Sequence, residues 1–287
     1  MSLYHIDDES KLDSPIVVAA FDGWVDGGRA GTLAADQLAE GAHPVATFDA
    51  DAIYDYRARR PVLDIVNGKL MDLEWPQLRL VGTRIGDRDL LVLTGAEPDY
   101  RWRQLSSDVV KLTKQLGVVT WVSLGAIPAT VPHTRPVPVL GTASSAGLLP
   151  ENVPQGPEGR LRVPSALVSV LELAVSQAGI PAVGFFAQVP HYASGAFPTA
   201  AVELLGRLGN FLGTDLPLGD LPQRALETRT LLDAAVSAEE RTRSYVERLE
   251  AMADEARLPA GDELIADIER FLRDGGDGGG NGGGLPN

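Results

Sequence analysis

PIVVAAFDGWVDGG, residues 15–28, decides the fold class. Its first seven residues are an unbroken apolar run, with isoleucine and valines at its start. A buried helix would be equally apolar, but the β-branched content and the turn residues at both ends favour a strand. A strand without polar alternation is covered on both faces, the pattern of an α/β sheet. The run breaks into Asp22-Gly23 and Gly27-Gly28. A helix is expected over about residues 29–40, with Asp26 or a following glycine near its N-cap.

The same alternation continues along the chain. Residues 44–49 read as a second strand. Residues 79–82 and 89–94 (DLLVLT) read as a hairpin around Gly86-Asp87. A moderately amphipathic helix is expected over residues 104–116, closed by Gly117, before a further apolar run at 118–127 (VVTWVSLGAI). Pro164 and Gly179 bracket a helix over 165–178, the usual placement of these two residues. Residues 181–189 are the last strong strand, and 198–212 form a helix with Val202, Leu205, Leu208 and Leu212 on one side.

From about residue 216 the pattern changes to charged amphipathic helices. Residues 239–256 carry Val246, Leu249, Met252 and Ala256 on one side, and residues 262–273 carry Leu264, Ile265, Ile268 and Leu272. Such helices either pack on the core or form an arm for a partner or another subunit. Residues 275–287 are glycine-rich and read as a flexible tail. The organisation expected is an N-terminal tail (1–14), an α/β core (15–215), a helical segment (216–274) and a terminal tail (275–287).

Composition narrows the function. The chain has 287 residues, no cysteine and a net charge of −14. The missing cysteine rules out disulfides, thiolate metal sites and a cysteine nucleophile. The acidity argues against nucleic acid, which needs a basic footprint. The first residues lack the basic and apolar regions of a secretory signal. Residues 15–21 and 180–189, the longest apolar runs, are too short to span a bilayer. The expectation is a soluble cytoplasmic protein that binds neither membrane nor nucleic acid.

Ligands of open α/β sheets bind beyond the carboxyl ends of the strands. Four segments fall at such ends: 21–28, 95–103, 125–135 and 189–194. They supply the candidate pocket residues Asp22, Trp24, Asp26, Glu97, Arg101, Arg103, His133, Arg135, His191 and Tyr192. Asp22 and Asp26 either cap turns and the following helix or serve as a general base or hydroxyl partner. His133 and His191 each end a Val-Pro-His tripeptide. They are either general acids or phosphate partners, or structural hydrogen-bonders. Arg101, Arg103 and Arg135 either hold a carboxylate or phosphate or pair with the abundant acids. Gly27-Gly28 before a helix could cradle an anion, but lacks a dinucleotide fingerprint. No Walker loop, His-Glu-x-x-His helix or Gly-x-Ser-x-Gly elbow is present. The four histidines (His5, His43, His133, His191) are not at metal-ligand spacing. The four lysines (Lys11, Lys69, Lys111, Lys114) give poor support for an ATP-grasp reading.

The strings AAFDGWVDGG (19–28), TGAEPDYRWR (94–103), SLGAIPATVPHTRPVPVLGTAS (123–144) and FFAQVPHYASGAFPTAAVELLGRL (185–208) resemble the proteasome-assembly-chaperone family, second-subunit type. The likeness is closest to its bacterial, actinobacterial-looking branch and extends over about residues 14–272. It implies a three-layer α/β/α sandwich similar to the nucleoside-phosphorylase-like fold, with a C-terminal helical appendage. It also implies a non-enzymatic, chaperone-like protein that self-associates, uses no cofactor or metal, and takes a protein client, by analogy a proteasome subunit. Eukaryotic members dock through a C-terminal hydrophobic–Tyr–any motif. The last residues here, Gly284-Leu285-Pro286-Asn287, lack the tyrosine and depart from that docking motif. The alternative function is a small-molecule protein or enzyme for a nucleoside- or carboxylate-type ligand, using the strand-end residues.

Overall fold

The computed structural model describes residues 2–7, 12–157 and 159–256; the helix read at 262–273 and the tail at 275–287 lie outside them. A short strand, β1 (Tyr4–Ile6), precedes β2 (Ile16–Asp22), the strand of the opening stretch. Ile16, Val18 and Ala20 enter one hydrophobic core, and Val17, Ala19 and Phe21 enter another. The two-residue side-chain period thus separates two cores across one sheet, which is why the run shows no polar alternation.

β2 turns into α1 (Ala30–Leu38) and then β3 (His43–Phe48). A single helical turn, α2 (Ala50–Ile53), follows, with the Asp49 carboxylate accepting from the backbone N–H of Ala52. Next come β4 (Val62–Val66), β5 (Lys69–Glu74), β6 (Leu78–Ile85) and β7 (Arg88–Ala96). Then follow α3 (Trp102–Gln115), β8 (Thr120–Ala129), β9 (Val139–Ala143), α4 (Leu167–Gln177), β10 (Ala182–Pro190) and α5 (Pro198–Leu212). The pair α6 (Leu221–Ala238) and α7 (Glu240–Glu255) closes the described chain.

Eight strands form one mixed sheet in the order β1-β3-β6-β7-β2-β8-β10-β9. Its central four, β7, β2, β8 and β10, are parallel, and the outer strands are antiparallel. α1 and α5 cover one face, with Leu221 at the start of α6; α3 and α4 cover the other. This is the three-layer α/β/α sandwich. Trp121 on β8 is fully buried and still satisfied, because its indole N–H donates to Ser123 Oγ at 3.0 Å.

The structure extends the predicted hairpin to Leu78–Ile85 and Arg88–Ala96, and adds elements that the pattern did not reveal. β1 has only three residues, and β9 follows the proline-rich PVPV segment, so neither has a long apolar run. β4 and β5 form a separate two-stranded sheet joined at Asn67-Gly68, both with positive φ (51° and 76°). Asn-Gly between apolar runs is a strong hairpin signal that the sequence reading passed over.

Neighbouring strands β2 and β7 send the chain to opposite sides of the sheet. β2 continues through α1 to β3, and β7 continues through α3 to β8 on the far side of β2. Adjacent connections that leave in opposite directions open a crevice at the strands' carboxyl ends.

Candidate functional site

Four of the ten predicted residues, His133, Arg135, His191 and Tyr192, come together beneath α6 and α7. His133 is 3% exposed. Its Nε2 lies 3.0 Å from Asp233 Oδ1 on α6, and its Nδ1 lies 2.7 Å from the Tyr192 hydroxyl. A carboxylate only accepts, so Nε2 carries the proton and Nδ1 accepts from Tyr192, a tautomer assigned from its partners. The His133 backbone N–H also donates to the Tyr192 hydroxyl at 2.8 Å. His191 donates from Nδ1 to the Ala129 carbonyl at 3.1 Å, leaving Nε2 to face the Tyr245 hydroxyl on α7 at 3.4 Å. The rings of His133, Tyr192, His191 and Tyr245 meet edge to face.

The loop after β8 adds ionic ties. Arg135 grips Asp254 on α7 with two parallel bonds, at 2.7 and 2.8 Å, and its guanidinium is 3.4 Å from Glu250. Thr134 donates its hydroxyl to Glu250. Arg229 on α6 donates to the His133 carbonyl and pairs with Asp233. Burial holds the His133 ring below its ordinary value of 6.5, against the opposing pull of Asp233. The two Val-Pro-His tripeptides are thus twin anchors for the helical pair, one on α6 and one on α7. All four ring nitrogens are engaged.

The other six lie elsewhere. Asp26 stands at the start of α1. Its Oδ1 accepts from the backbone N–H groups of Gly31 and Thr32, and its Oδ2 from the Thr32 hydroxyl at 2.6 Å. Burial nevertheless pushes its carboxyl up to about 6, because three hydrogen bonds and no paired cation replace its hydration. Glu97 joins two segments. Oε2 accepts from the Trp24 backbone N–H at 3.1 Å, and Oε1 accepts from Leu167 at the N-terminus of α4 at 2.7 Å. Gly23 leaves room for that carboxylate; a Cβ there would collide with it. The Trp24 side chain is exposed. Arg101 precedes α3 with left-handed φ, and Arg103 is in its first turn, both exposed.

Asp22 alone of the ten lines the crevice between β2 and β7. This space of about 250 Å³ is also walled by Arg29, Thr32, Asp36, Glu74, Trp75 and Arg79. The sequence reading missed these six. A signal existed for three of them: Arg29, just before α1, and Thr32 and Asp36 within it follow at i, i+3 and i+7, a polar stripe on one side of the helix. Glu74, Trp75 and Arg79 reach the crevice only through the β4–β5 excursion. Among the described residues, no group of three or more His, Asp or Glu could hold a metal, and no helix is long and apolar enough to cross a membrane.

The model of the PAC2 family matches residues 20–236, more than half of the chain. Among solved structures, a Mycobacterium tuberculosis protein of unknown function, Rv2714, is 31% identical with a TM-score of 0.82, covering 88% of this chain and 91% of its own. The M. tuberculosis proteasome-assembly chaperone homologue Rv2125 is 39% identical with a TM-score of 0.73, covering 80% and 99%. A PAC2 family protein from Streptomyces avermitilis is 35% identical with a TM-score of 0.72, covering 81% and 99%. No match is found among curated proteins.

Proposed function

We propose, on the premise that the chain belongs to the PAC2 family, that it is a non-enzymatic, self-associating protein-binding subunit of the assembly-chaperone type, acting in the cytoplasm. The hairpin β4–β5 carries this reading. Val62, Leu63, Ile65, Val66, Leu70, Met71 and Leu73 are between 40% and 70% exposed there. An isolated two-stranded hairpin is marginal in water, and a contiguous exposed apolar patch is the mark of an interaction surface. In register, Leu63 stands opposite Leu73 and Ile65 opposite Leu70, while Asp64 stands opposite Asp72. That pairing places like charges directly across the ladder, which is unfavourable in a free hairpin. We assign this surface to a second copy of the chain. The client is a proteasome subunit, by likeness to a relative described as a proteasome-assembly chaperone homologue. The residues that looked catalytic also favour binding over chemistry, because Asp26, Glu97, His133 and His191 are committed to structural hydrogen bonds.

Native mass spectrometry of the tagged full chain, purified from its own cytoplasm, tests both parts. The reading expects a homo-oligomer that the double substitution Ile65→Asp, Leu70→Asp converts to monomer, and a stoichiometric proteasome subunit among the retained proteins. A wild-type monomer, or an oligomer indifferent to the double substitution, removes the hairpin from the interface. Retention of no proteasome subunit removes the client assignment.

A further inference from the structure

We propose that the crevice at the carboxyl ends of β2 and β7 binds a small zwitterion of the α-amino-acid class. Arg29 and Arg79 would take its carboxylate, and Asp22, Asp36 and Glu74 its ammonium group. The position is the one where α/β sheets bind ligands, beyond parallel strands whose connections diverge. Here β2 ends at Asp22 and β7 at Ala96, paired in register.

The crevice gathers charges of both signs. Several arginines elsewhere close onto a carboxylate: Arg84 on Asp89, Arg135 on Asp254, Arg207 on Glu203, Arg229 on Asp233. In the crevice, two guanidiniums and three carboxylates share one wall. Among the described residues, none of these five side chains makes a hydrogen bond or a salt bridge within 4.0 Å. They do feel one another. All five residues are exposed to solvent; partial desolvation still pushes the Asp36 carboxyl up, and Arg29 and Arg79 pull it back. Separate groups of both signs, none neutralised by contact, suit a ligand that carries both charges. A simple anion would meet three carboxylates, and a simple cation would meet two guanidiniums.

Size and shape narrow the class. Sites for drug-sized molecules and cofactors occupy about 300–1,000 Å³. A space of about 250 Å³ falls below that and suits a smaller ligand. Trp75 supplies an aromatic wall for the ligand's side chain, braced edge-on by Tyr56 with ring centroids 4.8 Å apart. The floor is rigid. Gly95 has φ 141°, and a Cβ there would run into the Gln77 carbonyl. Arg29 is held with a left-handed φ of 54°, strained for a residue with a Cβ, and such strain concentrates at functional sites.

Isothermal titration of the full chain with the common L-amino acids, one at a time, tests the proposal. Their N-acetyl and amide derivatives, acetate, methylammonium and inorganic phosphate serve as controls. At least one free amino acid should bind saturably, and blocking either of its charged ends should abolish binding. Arg79→Gln and Asp36→Asn should each weaken it about tenfold to hundredfold, the loss of one charge-assisted bond. Arg224→Gln, on α6, should leave it unchanged. If Arg79→Gln fails to fold by circular dichroism, Arg29→Gln takes its place. Saturable binding by no amino acid overturns the proposal. So does equal binding of a blocked derivative or of phosphate alone, or an affinity indifferent to the crevice substitutions. The oligomeric state is read separately, so this site and the hairpin interface can fail independently.

Discussion

The helical pair α6–α7 and the hairpin β4–β5 both stand outside the eight-stranded sheet, and they meet solvent in opposite ways. From sequence the helical segment either packs on the core or forms an arm, and the structure shows packing: Val246 and Leu249 on α7 are buried. His133, Arg135, Thr134 and Arg229 tie the pair to the strand-end loops. Among the described residues, the hairpin has no such ties. Its apolar side chains face water and its aspartates face each other. An amphipathic pattern therefore identifies a face that needs covering, but does not say what covers it. Satisfied hydrogen bonds mark the face already covered from within, and exposed apolar surface marks the one that the proposed function gives to a partner.

The sharpest way to break this contrast is a pair of truncations read by denaturant unfolding at low protein concentration. Leu249→Ala removes a buried side chain and should cost about 2–5 kcal/mol. Leu70→Ala, on the exposed hairpin, should stay within about 0.5 kcal/mol. A hairpin substitution that costs the monomer as much as the helical one would show that the hairpin is part of the core, and the contrast would disappear.

A smaller effect sharpens the anchoring side. His133→Ala leaves the Tyr192 hydroxyl and the Asp233 carboxylate without their shared partner, and should cost about 1–3 kcal/mol. Hydrogen exchange should locate the loss in α6 and α7 rather than in β2. Uniform loss of protection across the sheet would mean that His133 supports the core as a whole and not the helical pair.

How much of this was legible follows the range of each interaction. β2, α1 and α5 are local patterns, and the apolar run at residues 15–21 carries its two-sided burial in plain view. Asp26 was recognisable as a helix-start residue because its partners, Gly31 and Thr32, lie within six positions. The sequence leaves His133 between a chemical and a structural role, because Asp233 is 100 residues away on a helix whose docking no local pattern records. Arg79 and Asp36 likewise share a crevice only after β6 and α1 have been brought together across the sheet edge. The Asn67-Gly68 hairpin differs in kind: its signal is local and was available.

The smallest expected effect is the pH dependence, and it divides the molecule once more, between the anchor and the start of α1. Burial lowers the His133 pKa in the fold, so the unfolded chain takes up a proton near 6.5 while the folded ring resists. Stability from this group is present above 6.5 and is lost as pH falls below it. Asp26 has the opposite sign. Its folded value of about 6 lies above the unfolded 3.8, so its contribution is present below 3.8 and is lost as pH rises towards 6. Between those values acidification weakens the anchor while it favours the α1 start, and the two slopes partly offset. Urea midpoints measured from pH 7 down to about 5 should therefore change little in the wild type. The fall should steepen in Asp26→Asn, where only the histidine slope remains, and should vanish or reverse in His133→Gln. Equal slopes in all three proteins would mean that neither group governs stability in this range. The anchor would then hold by packing and by the Arg135 ion pairs alone.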